Sequence, residues 1–272
     1  MNDTLYVEGF GAITRHATLS DFPSGPRVEL PKTDLSLLER TLRRGLSDAT
    51  RLFLHASRLA LVDAGADAAQ LHVVFGSAYG ELGTAEALMA QAFEDNSASP
   101  ARFRHSVHNT APGLLSISAH NRLPSTAIAA GWDTVAMGLL EATAQLRSGA
   151  QRVLLVFAEE PVPEALSSDH AHGPLAVALV LSQTLSAKPP RASLSRLVRA
   201  PERPVSARDP FANENHPLGP ALLIAQALEA GRSESIQVGE GPSPWCVELR
   251  VLKPEPGAQT SAQAAAEQEL SG

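Results

Sequence analysis

A chain of 272 residues, 44% of them hydrophobic, can build one large core or one and a half domains and is not disordered overall. Its net charge of −7, with no basic block, gives little support to nucleic-acid binding. No apolar run is long enough to span a bilayer, the N-terminus lacks the basic and apolar regions of a signal peptide, and a single cysteine excludes an intramolecular disulfide and fits a reducing cytoplasm.

In chain order, residues 5–11 predict a first strand and a turn. A proline-rich loop over 23–31 leads to helices over roughly 33–46 and 48–63. Residues 66–69 link to a strand at 71–76, and helix signals follow over about 81–94 and 100–121. Residues 159–164 read as a loop, and 175–181, apolar throughout, as a central strand. Residues 186–216 hold several Pro and Arg and read as a poorly ordered crossover. A helix over 218–230 and a strand over 245–252 close the folded part. The tail, 253–272, is rich in Ala, Gln, Glu and Ser, lacks aromatic residues, and is expected to be flexible, with 262–270 as a frayed helix in a rival view.

Residues 125–149, STAIAAGWDTVAMGLLEATAQLRSG, carry the most information. Ser125-Thr126-Ala127-Ile128-Ala129 is short and apolar, as a buried strand is. Ala130-Gly131 permits a tight turn. Asp133 and Thr134 can cap a helix, and Asp favours its positive N-terminal end. Val135, Leu139, Leu140, Ala144 and Leu146 recur at apolar helix positions, and Gly149 is a stop signal. A second buried strand, 152–158, follows, so the unit reads as parallel βαβ. Strand, sharp turn and helix make the layout of a nucleophile elbow, with Trp132 at the tip. The plainer alternative is one α/β unit in which Trp132 packs the start of a helix.

Several segments resemble the N-terminal half of a β-ketoacyl-acyl carrier protein synthase. In that family a TACSSG- or TACATG-like elbow carries the acyl chain on its Cys. The helix after it ends in an LRSG-like sequence, matched here by Leu146-Arg147-Ser148-Gly149. Counting back puts the family's Cys position at Trp132. His108-Asn109-Thr110-Ala111-Pro112-Gly113-Leu114-Leu115-Ser116-Ile117 resembles the helix-forming segment before the elbow strand, Val73-Val74-Phe75-Gly76-Ser77-Ala78-Tyr79-Gly80 the early strand and glycine turn, and 51–65 the helix before it. The resemblance covers about 50–182 and implies a thiolase-like α/β fold, layered helix–sheet–helix, with a reduced C-terminal half. The expected organisation is an N-terminal domain over 1–185, a truncated remnant packed on it over 186–252, and the tail.

The departures from the family imply lost chemistry. Trp132 cannot attack a thioester. The family's C-terminal half supplies two histidines, but after Leu181 this chain has only His216. The short cysteine-free chain length factors of aryl-polyene and xanthomonadin-type clusters are the subgroup it looks most like. That implies a non-catalytic subunit that forms a heterodimer with a catalytic ketosynthase and meets acyl carrier protein only indirectly. It also implies an interface built on Ser125, Thr126, Ala127, Ile128 and Ala129, with Gly131, Trp132 and Asp133 shaping the partner's acyl tunnel. His105, His108 and Asn109 are pocket candidates.

Other signals are weaker. His105 and His108, three apart, and Asp169-His170-Ala171-His172 lack the acidic or Cys residues that would complete a zinc site, so no metal is expected. Gly76-Ser77-Ala78-Tyr79-Gly80 is neither a P-loop nor a hydrolase elbow, and no cofactor motif is found. Cys246 reads as a small buried hydrophobe in a late strand. Arg40, Arg43, Arg44 and Arg51, the densest basic cluster, are either a docking patch for an acidic carrier or a solvated helix face. Two other functions remain open: acyl transfer or hydrolysis on a thiolase-like remnant through Asp133, His105 or His108, and a decayed homodimeric structural protein.

Overall fold

The computed structural model describes residues 4–14, 32–166, 172–186, 188–200, 216–240 and 243–252. The tail expected at 253–272 and about half of the expected crossover, 187 and 201–215, lie outside them. Nine described strands form one mixed sheet. They are β1 (Leu5–Ile13), β2 (His72–Gly76), β3 (Ser125–Ile128), β4 (Arg152–Glu159), β5 (Leu175–Ser182), β6 (Ala192–Leu194), β7 (Val198–Arg199), β8 (Glu234–Gln237) and β9 (Trp245–Val251). Their order is β3-β2-β4-β5-β1-β6-β9-β7, with β8 also on β9. Only β3, β2 and β4 are mutually parallel, while β5 turns back antiparallel on β4. The expected βαβ unit is present with β2 inserted between its two strands. Strands from the C-terminal region continue the same sheet through β1 and β6.

Two helical layers cover the sheet. On one face α1 (Asp48–Ala64) and α4 (Thr110–Ser118) bury Phe53, Leu54, Ala111 and Leu115 against Phe75, Leu154, Val156 and Val180. On the other, α5 (Thr134–Arg147) and α6 (Gly219–Glu229) pack Val135, Leu139, Leu222 and Ile224 against Val74, Leu155, Phe157 and Val177. Alternate residues of β4 therefore serve opposite cores, which is why it reads as an unbroken apolar run. Each layer depends on close approach. A Cβ at Gly138 of α5 would lie 2.6 Å from the Phe157 ring, so α5 sits deep on β4.

The structure corrects two predicted helices. Residues 33–46 form only a 3-10 turn, Arg40–Arg43. Asp34 bonds the Ser36 N–H and the Arg58 guanidinium, so local side-chain bonds win over a helix there. The segment 100–121 divides into α3 (Pro100–Phe103) and α4, with α2 (Leu82–Asp95) before them. Pro112 explains the break, because proline is tolerated only in the first turn of a helix, where α4 places it. His105 and His108 thus lie in the connection between two helices and not on one.

Candidate functional site

The parallel strands β3, β2 and β4 end on one side of the sheet, where the turns after β2 and β3 lie. After Ile128, Ala129 and Ala130 lead to Gly131, which has φ +54°, and to a 3-10 turn over Gly131–Asp133 before α5. That left-handed glycine makes the turn sharp. Buried Thr134 holds it: its hydroxyl accepts from the Ala130 N–H at 3.1 Å and donates to the Gly131 carbonyl at 2.7 Å. Trp132 is half-buried in the turn. Asp133 does not cap α5, against expectation. Its carboxylate instead accepts the Glu240 N–H at 3.0 Å, tying the elbow to the loop after β8.

The pocket candidates separate. His108 turns inward, where its Nε2–H donates to the Ile128 carbonyl at 3.0 Å and its ring stacks on Phe75. Ser77 N–H donates to the same carbonyl, so His108 braces the end of the elbow strand. His105 and Asn109 turn outward and line a cavity of about 500 Å³ beside α4. The Nε2 of His105 accepts from Arg104 Nε at 3.1 Å. Burial and the neighbouring guanidinium both push its pKa down, so the ring is neutral. Asp133 shares no hydrogen bond with either histidine. The basic cluster also divides. Arg43 donates to the Leu38 carbonyl and Arg51 to the Leu46 carbonyl, whereas Arg44 lines the cavity.

Sequence reasoning missed the buried polar centre. Glu159 and Glu160 are 0% and 5% exposed, not part of a surface loop. Glu159 accepts from Ser77 Oγ, Ala78 N–H and Tyr79 N–H, fixing the turn after β2. Glu160 accepts from Ala49 N–H and Gly83 N–H, so one carboxylate serves the N-termini of α1 and α2. Glu81 accepts from the Thr50 hydroxyl, and its other oxygen is buried with no hydrogen-bond partner. Burial pushes Glu159 up to about 8 and Glu81 up to about 7, against the donors that favour their anions. His172 and His216 meet beside this centre, with ring centroids 4.3 Å apart. Both rings donate to the Gly173 carbonyl, and His216 Nδ1 accepts the Leu218 N–H, so His216 is neutral. Burial depresses both pKa values.

This centre sets the pH dependence of stability. A carboxyl with a raised folded pKa contributes most below the unfolded value of about 4.5, and that contribution is lost as pH rises through the folded value. The depressed histidines act the opposite way, weakening the fold as pH falls below about 6.5. The melting temperature should therefore fall by several degrees from about pH 6.5, where the histidines no longer offset the carboxyls, to about pH 8. Glu81→Gln, which keeps the acceptor for Thr50, should reduce that fall in calorimetric scans. An unchanged slope would remove Glu81 from the account.

Cys246 cannot stand in for an elbow nucleophile. It is buried in β9, separated in the sheet order from β3, and burial and Glu248 push its thiol pKa up. Among the described residues no group of three or more His, Cys, Asp or Glu could hold a metal ion. No described helix is long and apolar enough to cross a membrane.

Comparison with known proteins bears on this arrangement. Residues 20–246 match the family model described as the N-terminal domain of β-ketoacyl synthase. No curated protein matches the chain. A chain of the ketosynthase (ApeO) in complex with its chain length factor (ApeC) from Xenorhabdus doucetiae is 23% identical. Its TM-score is 0.67, over 90% of this chain and 99% of that one. A chain of the ishigamide ketosynthase/chain length factor is 16% identical with a TM-score of 0.69, over 92% of this chain and all of that one. A β-ketoacyl synthase from Burkholderia phymatum is 16% identical with a TM-score of 0.58, over 72% of this chain but only 64% of that one.

Proposed function

The chain belongs to the β-ketoacyl synthase family and has its thiolase-like fold, and on that premise we propose that it is a non-catalytic chain length factor. In this reading it completes a heterodimer with a catalytic β-ketoacyl-acyl carrier protein synthase of aryl-polyene type and shapes that partner's acyl tunnel. Acyl carrier protein is met through the synthase, and the pair works in the cytoplasm.

The observation that carries the reading is Trp132 in an otherwise intact elbow. The strand, the sharp turn and the helix are all present, but the tip has neither a thiol nor a hydroxyl. The chain's only cysteine is buried in β9. His172 and His216 spend donors on Gly173, so they are not poised to bind a thioester carbonyl. The chain spans nearly the whole of its counterparts in two ketosynthase–chain length factor structures but under two thirds of the Burkholderia synthase. Hydrolysis or acyl transfer through Asp133, His105 or His108 gains no support, since these side chains are engaged with Glu240, Arg104 and Ile128.

The test is assembly and inactivity together. The chain should co-purify with a tagged catalytic ketosynthase. Intact-protein mass spectrometry of the chain alone, after incubation with acyl-carrier thioester, should show no added acyl mass. A stable acyl adduct on this chain, or a clean monomer that ignores every ketosynthase offered, would overturn the reading.

A further inference from the structure

The cavity beside α4 lies apart from the elbow, and none of the elbow residues lines it. Its volume, about 500 Å³, falls in the range of small-molecule sites. Leu42, Val107, Leu114 and Ile117 supply apolar walls, and Ile117 remains 62% exposed. Its polar edge has one chemical character. Arg44 and Arg104 both line it, and no carboxylate does. Neither guanidinium has a carboxylate partner among the described residues. His105 has already committed its Nε2 lone pair to Arg104, so it offers only its Nδ1–H. Asn109 adds a side-chain amide. In a chain of net charge −7, this is a local concentration of cationic donors on an apolar wall.

We propose that this pocket binds an amphipathic anion, a carboxylate or phosphate head carried on an apolar chain. The head pairs with Arg44 and Arg104, whose guanidinium groups match planar and tetrahedral oxyanions alike. The chain runs along Leu114 and Ile117 toward Leu42. Gly113 opens the wall between them, since a Cβ there would meet no atom within 4 Å. The pocket makes no use of Trp132 or β3.

Titration calorimetry of the full chain with octanoate, octyl phosphate, neutral octanamide and inorganic phosphate tests this. At least one charged amphiphile should bind roughly tenfold or more tighter than octanamide. Tighter octanoate assigns a carboxylate head, and tighter octyl phosphate a phosphate head. Arg44→Glu combined with Arg104→Glu should remove that preference. Gly113→Leu replaces a helix-interior glycine with a better helix former and fills the cavity, so it should abolish binding without lowering the melting temperature. Equal affinity for octanamide and both anions would overturn the proposal. So would unaltered binding by Gly113→Leu, or binding of inorganic phosphate as tight as that of octyl phosphate. Failure to pair with a ketosynthase would leave the result unaffected.

Discussion

Ala127→Pro should abolish pairing with the synthase while leaving the chain folded. The reason lies in which way the backbone of β3 faces. The Val73 N–H donates to the Pro124 carbonyl and the Ser77 N–H to the Ile128 carbonyl. With a period of two, Pro124, Thr126 and Ile128 turn their backbone groups toward β2. Ser125, Ala127 and Ala129 turn theirs away, on the outer edge of the sheet. That edge carries no charged residue, and its shortness is its only protection against pairing with another strand. Proline at 127 removes one outward N–H, and an edge strand tolerates it. The partner's strand would lose that bond and meet the ring. The expected loss is roughly a hundredfold or more in affinity, about 2.7 kcal/mol, by surface plasmon resonance against the immobilised synthase. Thr126→Pro is the contrast. Its N–H faces β2, so it should lower the melting temperature of the chain itself. Wild-type assembly by Ala127→Pro would move the interface away from β3.

The sequence was legible where local chemistry decides the structure. The strands of the β4–β5 pair could be read because both faces are covered, so every position is apolar. The elbow could be read because glycine, a capping residue and helix periodicity lie within a few positions of one another. The short strands β6, β7 and β8 could not, because Ala192-Ser193-Leu194 or Glu234-Ser235-Ile236-Gln237 becomes a strand only by pairing with β1 or β9. Glu159 and Glu160 were unreadable for a sharper reason. Two acids before Pro161 look like a solvated turn. Their partners, the amides of Ala78, Ala49 and Gly83, stand 77 to 111 residues away. The same distance hid the contact of His172 with His216. Among the pocket candidates, only packing could send His108 to the Ile128 carbonyl and His105 to the cavity.

Trp132→Ala should leave the heterodimer assembled and lengthen or broaden the products of the partner. Two roles for the indole make different demands. A tryptophan that only packs the start of α5 behaves as a core residue, and its truncation costs about 3–5 kcal/mol. Trp132 is half-buried, while the contacts that hold α5 to the sheet come from Val135, Leu139 and Leu146, all buried. The turn itself is closed by Thr134, Ala130 and Gly131, none of which involves the indole. Truncation should therefore cost less than a core deletion, and the elbow should keep its shape. On the proposed function, the tip residue would face the cleft where the family's acyl chain starts. Removing a bulky ring there extends the space open to a growing chain, and Trp132→Phe should give an intermediate profile. The measurement is chain-length profiling of products from reconstituted wild-type and variant pairs, beside thermal melting of each. An unchanged profile from an intact pair would exclude a tunnel role. A collapsed melting temperature with no complex would make the indole a packing residue, whatever its position at the tip.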